Sequence, residues 1–180
     1  PIWALIALDS GNYDIPKNTS AKTQATRQLY IDEILSRQQK DGGWNLTGTG
    51  DSDVDITAMA LQALAKYQDQ KAVKTATDSA LTWLSKNQDS KGGFASWGTT
   101  NVESVAQVIV ACTALGIDPD TDSRFVKDGG SAVDALLTFY DAGAAAFRHK
   151  ASGGTDSLAT EQAVYALVAV SRFQRGQSGL

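Results

Sequence analysis

The chain has 180 residues, 42% apolar and 20% charged, with a formal net charge of −4. This is enough to bury roughly 70% of the unfolded surface around one core, and it is too apolar for disorder. Lys and Arg are scattered, so the basic face that nucleic-acid binding needs is missing. No apolar run approaches the roughly 18 residues of a membrane span.

In chain order, "PIWALIALDSG" (1–11) opens without the basic stretch of a signal peptide and reads as the end of an apolar helix from an earlier unit. Residues 25–39 form an amphipathic helix, with Leu29, Ile31, Ile34 and Leu35 on one side and Arg27, Asp32, Glu33 and Arg37 elsewhere. "QKDGGW" (39–44) follows, then a polar loop and the Ala-rich run 55–67. Residues 72–88 repeat the amphipathic pattern with Val73, Ala76, Ala80, Trp83 and Leu84; "QDSKGGF" (88–94) and the apolar run 104–117 come next. A worn third copy is "LTFYDAGAAAF" (137–147), which keeps Gly143 and Phe147 and leads into the run 160–173.

Helix boundaries follow from local chemistry. Ser52 and Asp55 have capping-box spacing. Asp118-Pro119 stops the second apolar run, because the residue before Pro disfavours the helical region. Gly42-Gly43 and Gly92-Gly93 supply positive-φ positions after helix ends. Sustained alternation and Asn-Gly hairpins are absent, so strand signals are weak. One-faced helices alternating with helices apolar all round imply an outer and an inner layer. The expected fold is all-α, a single domain over 1–180 of helical-hairpin repeats at about 20–67, 71–117 and 128–174.

Gln39–Gly42–Gly43–Trp44 and Gln88–Gly92–Gly93–Phe94, each between an amphipathic and an Ala-rich helix, resemble the repeat of the prenyltransferase and squalene-cyclase superfamily. The runs "DVDITAMALQALA", "ESVAQVIVACTALGIDPDTDSRFVKDG" and "ATEQAVYALVAVSRF" resemble it too. They look closest to its bacterial cell-surface branch, distantly similar to transcobalamin and intrinsic factor. The resemblance implies an α/α toroid, with these hairpins as the C-terminal half of an (α/α)6 barrel. It also implies an extracellular or cell-surface location. The expected partner is a small molecule, the N-terminal part of the toroid, or a second half-ring.

Candidate chemistry centres on Asp53-Val54-Asp55-Ile56-Thr57. Cyclases of the superfamily carry Asp-x-Asp-Asp-Thr-Ala there, which would make Asp55 the proton donor with Asp53 beside it. This chain has Ile56 where they have the last Asp, and helix capping by Ser52, Asp53 and Asp55 is the structural alternative.

No metal or cofactor is expected. Val110 stands where the zinc-binding relatives have Asp before Cys112, and His149 is the lone histidine, whereas zinc wants several N or S ligands. Asp51–Asp55 and Asp118–Asp122 lack the Gly and Glu of a calcium loop; adventitious calcium is expected at most over 118–122. Polar residues at the inner-helix heads, Asp55, Thr57, Glu103, Gln107, Glu161 and Gln162, are candidate ligand contacts, with Trp97 and Phe147 as apolar walls. The alternative for the amides is pairing within the protein.

Three functions follow from the resemblance. The first is a non-catalytic binding or scaffold module of a secreted bacterial protein. The second is a cyclase- or prenyltransferase-type enzyme with Asp55 as acid. The third is capture of a corrinoid.

Overall fold

The computed structural model describes residues 1–177 and 179. Four helices form an inner row: α1 (Ile2–Ser10), α3 (Val54–Leu64), α5 (Val102–Ala114) and α7 (Ser157–Gln174). Three alternate with them in an outer layer: α2 (Arg27–Ser36), α4 (Lys71–Asn87) and α6 (Ala132–Leu137). The inner row packs in chain order, α1 on α3, α3 on α5, α5 on α7, while α2 touches α1 and α4, α4 touches α3, and α6 touches α5. The fold is an α/α toroid arrangement of helical hairpins.

Composition explains the layering. Helix α5 buries Val102, Val105, Ala106, Val108, Ile109, Ala111 and Cys112, so it is enclosed nearly all round. The small Ala side chains of α3, α5 and α7 let neighbouring inner helices approach. By contrast α4 buries only one stripe, with Val73, Ala76, Thr77, Ala80, Leu81 and Leu84 inward and Lys74 and Asp78 paired outside at 2.9 Å. Leu29, expected on the buried side of α2, is exposed; Ile31 and Ile34 carry that face.

One turn is built three times. The carbonyl of Trp44 accepts a hydrogen bond from Asp53 N (2.8 Å), that of Phe94 from Asn101 N (3.2 Å), and that of Phe147 from Asp156 N (2.9 Å). Asp53, Asn101 and Asp156 each cap an inner helix by accepting from the backbone N–H three residues on. The aromatic is thus clamped to the first turn of the next inner helix, and all three rings are buried. Trp44 adds an indole N–H donated to Ile34 O at 2.7 Å. Phe147, expected on a ligand wall, therefore belongs to the core as the third copy of this anchor.

In the first copy the glutamine of the motif is one residue earlier than its sequence spacing suggested, while Gln88 of the second copy stands where expected. Gln88 Nε2 donates to Gly92 O (3.0 Å) and to Phe125 O in the next unit (2.8 Å). In the first copy Gln38, not Gln39, donates to Gly42 O (2.7 Å) and to Ala76 O of α4 (2.8 Å). Gln39 bonds the carbonyls of Arg37 and Gly48 instead, and its backbone N–H takes the place that Asp89 has in the second copy. The two copies share one spacing, Gln-x3-Gly-Gly-aromatic.

Only the first glycine of each pair has positive φ, +101° at Gly42 and +84° at Gly92. Each presses against the next outer unit: a Cβ on Gly42 would sit 2.9 Å from Ser79 O, and one on Gly92 would collide with Ser131 O. Gly43 and Gly93 are required by crowding instead, since a Cβ there would meet Ser52 and Asp89 at 2.6 Å.

Two helix boundaries depart from the sequence reading. Asp53 is the α3 cap, while Ser52 donates its hydroxyl to Asp41 at 2.5 Å. Helix α5 ends before Asp118-Pro119, at Gly116 (φ +74°), where Ile117 N bonds Cys112 O and Gly116 N bonds Thr113 O. Three hairpins of two-residue strands also form: β1 (Ala95–Ser96) with β2 (Thr99–Thr100), β3 (Val126–Lys127) with β4 (Gly130–Ser131), and β5 (Tyr140–Asp141) with β6 (Ala146–Phe147). They are too short for the alternation that betrays a strand in sequence.

Candidate functional site

Because α3, α5 and α7 each begin at the same clamp, their heads gather at one mouth. Two adjoining clefts open there. One, of about 600 Å³, is lined by Asp55, Ser96, Trp97, Glu103, His149 and Asp156, among others. The second, of about 770 Å³, runs from Asp55 and Trp97 to the 45–53 loop, with Ile56 and Met59 as walls. Both volumes suit a small ligand.

Asp55 sits on the wall shared by the two clefts. It is not the helix cap; Asp53 Oδ1 takes that role from Ile56 N at 3.0 Å. The Asp55 side chain is mostly buried, and its Oδ1 has no hydrogen-bond partner. Burial pushes its carboxyl above the ordinary carboxylate range. The hydroxyls of Ser104 and Ser96 oppose that shift, while the charges of Asp53 and Glu103 add to it. Ser104 donates to Ser96 Oγ (3.1 Å), which donates to Asp53 Oδ2 (3.3 Å), so a hydroxyl chain joins α5 to the α3 cap.

Glu103, largely buried on the first turn of α5, lies 2.7 Å from Nδ1 of the half-exposed His149. Val102 N donates to His149 O at 3.1 Å, which fixes the 148–155 loop against α5. The lone histidine thus belongs to the mouth. Trp97, at the β1–β2 tip, is 98% exposed.

The other expected contacts have different places. Thr57 is fully buried, with its hydroxyl accepting from Trp44 N at 2.8 Å. Thr160 does the same for Phe147 N at 2.9 Å. Gln107 and Gln162 join a ladder across the inner helices. Gln62 Nε2 donates to Gln107 Oε1 (2.9 Å), and Gln107 Nε2 donates to Gln162 Oε1 (3.1 Å). These amides tie α3, α5 and α7 together. Gln62 had a signal in the sequence, a polar side chain within an apolar run. Glu161 is exposed on α7.

Cys112 is fully buried, and burial raises its thiol far above the ordinary range. Asp120 accepts from Ser131 Oγ (2.6 Å), and Asp122 pairs with Arg124 (2.7 Å). Among the described residues no group of three or more His, Cys, Asp or Glu side chains is placed to hold a metal.

Comparison with known families agrees with this geometry: the model of the prenyltransferase alpha-alpha toroid domain matches residues 2–174. The chain belongs to that family. No curated protein matches it. Within the toroid family, then, this chain carries a carboxylate raised by burial, Asp55, at the mouth of the inner-helix row. No helix among the described residues is long and apolar enough to cross a membrane.

Proposed function

We propose that this toroid chain is a non-catalytic ligand-binding module of a secreted or cell-surface bacterial protein, with the mouth of the inner row as its site. The observation that carries the reading is Asp55, a carboxylate with an unpartnered buried oxygen on the wall of two clefts. An unsatisfied buried acceptor costs about 1–3 kcal/mol, and a hydrogen-bond donor on a ligand reaching this carboxylate would relieve it. The location rests on the resemblance to the cell-surface branch.

Melting-temperature shifts with a library of water-soluble metabolites, cobalamin included, test the reading. At least one compound should raise the melting temperature of the wild type and not that of Asp55→Asn. No shift with any compound would overturn it. A cobalamin hit with a change in its visible spectrum would give the ligand as a corrinoid.

Asp55 also favours a second reading, a cyclase-type acid, since its carboxyl is raised and Asp53 lies beside it. Two features weigh against it. Ile56 replaces the last acid of the motif, and the clefts are open and lined by Ser96, Thr99, His149 and Lys150, where water would quench a carbocation. Conversion of squalene or geranylgeranyl diphosphate to a cyclic product, abolished in Asp55→Asn, would establish the enzyme instead.

The exposed faces of α1 (Trp3) and α7 (Leu158, Val164, Tyr165, Val168) fit docking against a further toroid segment or a second half-ring. Sedimentation of the chain, alone and with such a segment, tests this; a monomer indifferent to the segment would refute it.

A further inference from the structure

The ligand-binding reading leaves the chemistry of the ligand open, and Trp97 narrows it. Of the four tryptophans, Trp44 is buried in the core and Trp83 packs against it. Trp97 is almost wholly exposed, so its ring adds nothing to the core. It sits in a two-residue hairpin turn with φ +53°, followed by Gly98 at +75°. Asn or Gly suits the first position of such a turn, and a bulky aromatic there is disfavoured. The fold therefore gains nothing from this side chain, which lines both clefts at the mouth.

We infer that Trp97 is the stacking platform of a saccharide site, with the two flanking clefts holding neighbouring sugar units of an oligosaccharide. This inference rests on the ligand-binding reading above and specifies its substrate class. A sugar ring offers an apolar C–H face to an aromatic and a rim of hydroxyls that both donate and accept. The walls beside Trp97 match that rim. Asp55 and Glu103 accept, Lys150 donates, and Thr99 and Thr47 do either.

Other ligand classes fit less well. A phosphorylated or otherwise anionic ligand would face the carboxylates of Asp55, Glu103 and Asp156, and a wholly apolar one would strip water from them with no return. An organic cation shares the affinity for an indole face and for carboxylates, so the experiment must separate it from a sugar.

The test is binding to an immobilised panel of defined oligosaccharides, followed by solution titration of any hit with tryptophan fluorescence. Choline and spermidine serve as the cationic probes. Wild type, Trp97→Ala and Trp97→Tyr are compared, and all three should melt together because the side chain packs on nothing. At least one glycan should be retained. Its Kd should weaken about tenfold or more in Trp97→Ala and only a few-fold in Trp97→Tyr, which keeps an aromatic face.

Retention of no glycan, equal binding by Trp97→Ala, or binding of choline or spermidine without any glycan would each overturn the inference. A non-saccharide metabolite whose melting shift needs Asp55 would leave the ligand-binding reading standing while the saccharide inference falls. Silence in both assays would remove both.

Discussion

Gln38→Ala and Gln39→Ala, made side by side, separate two neighbouring residues of identical type by what their amides hold. Gln38 reaches from the end of α2 to Gly42 O at 2.7 Å and, across the unit boundary, to Ala76 O on α4 at 2.8 Å. Removing it takes one donor from each of two partly buried backbone carbonyls. At roughly 1–1.5 kcal/mol for each bond, the loss should be about 2–3 kcal/mol. For a chain of this length that lowers the melting temperature by about 5–10 °C. Gln39 also makes two bonds, but to Arg37 O and Gly48 O beside an exposed loop, where water replaces the donor. Its loss should cost under about 1 kcal/mol. Urea unfolding followed by far-ultraviolet circular dichroism reads both, with an unchanged m-value confirming that only stability has moved. Gln88→Ala should match Gln38→Ala, because Gln88 bonds Gly92 O and Phe125 O in the same way. A Gln39→Ala loss as large as that of Gln38→Ala would refute the assignment of the repeat.

Trp44→Ala should cost about 3–5 kcal/mol in the same unfolding assay, because the ring is 2% exposed and bonded to Ile34 O; a loss under about 1 kcal/mol would mean the ring is no anchor. Asp55→Asn should stabilise the fold at neutral pH. The folded state raises this carboxyl, so its ionisation opposes folding as pH climbs above the unfolded-state value of about 3.9. The gain should vanish below that value, and a variant less stable than wild type at pH 7 would contradict the burial argument. Cys112 should resist iodoacetamide in the folded chain and react fully in urea, because burial both shields the thiol and suppresses its thiolate. Prompt labelling of the native protein would show that α5 is not enclosed.

The architecture was legible because it is periodic. An aromatic after paired glycines, then an Ala-rich run, is visible without coordinates, and even the eroded copy at Phe147 kept its place. What escaped was whatever depends on one residue of offset. Gln38 and Gln39 differ only in which one reaches α4. The choice could have been made by holding the second copy's spacing fixed. Ser52, Asp53 and Asp55 all suit a helix start, and only backbone direction makes Asp53 the cap and leaves Asp55 facing the clefts. His149 lies far in sequence from Glu103, so no local pattern announces their pairing. Trp97 carried an aromatic label, but its exposure follows from a hairpin too short to show in a sequence pattern.

The clamp between each aromatic carbonyl and the following cap amide also divides the chain into parts with different freedoms. Segments 45–52, 95–100 and 148–155 are held shut at their bases by those clamps, so their tips should tolerate changes of length or composition that keep the bonds of Ser96 to Asp53 and of His149 O to Val102 N. The middle segment is already the shortest of the three and carries Trp97. Such loops form a set of exchangeable fingertips on a fixed hand. Under the proposed binding role, loop grafting alone should change what the mouth recognises, and stability should follow the clamps rather than the grafted sequences.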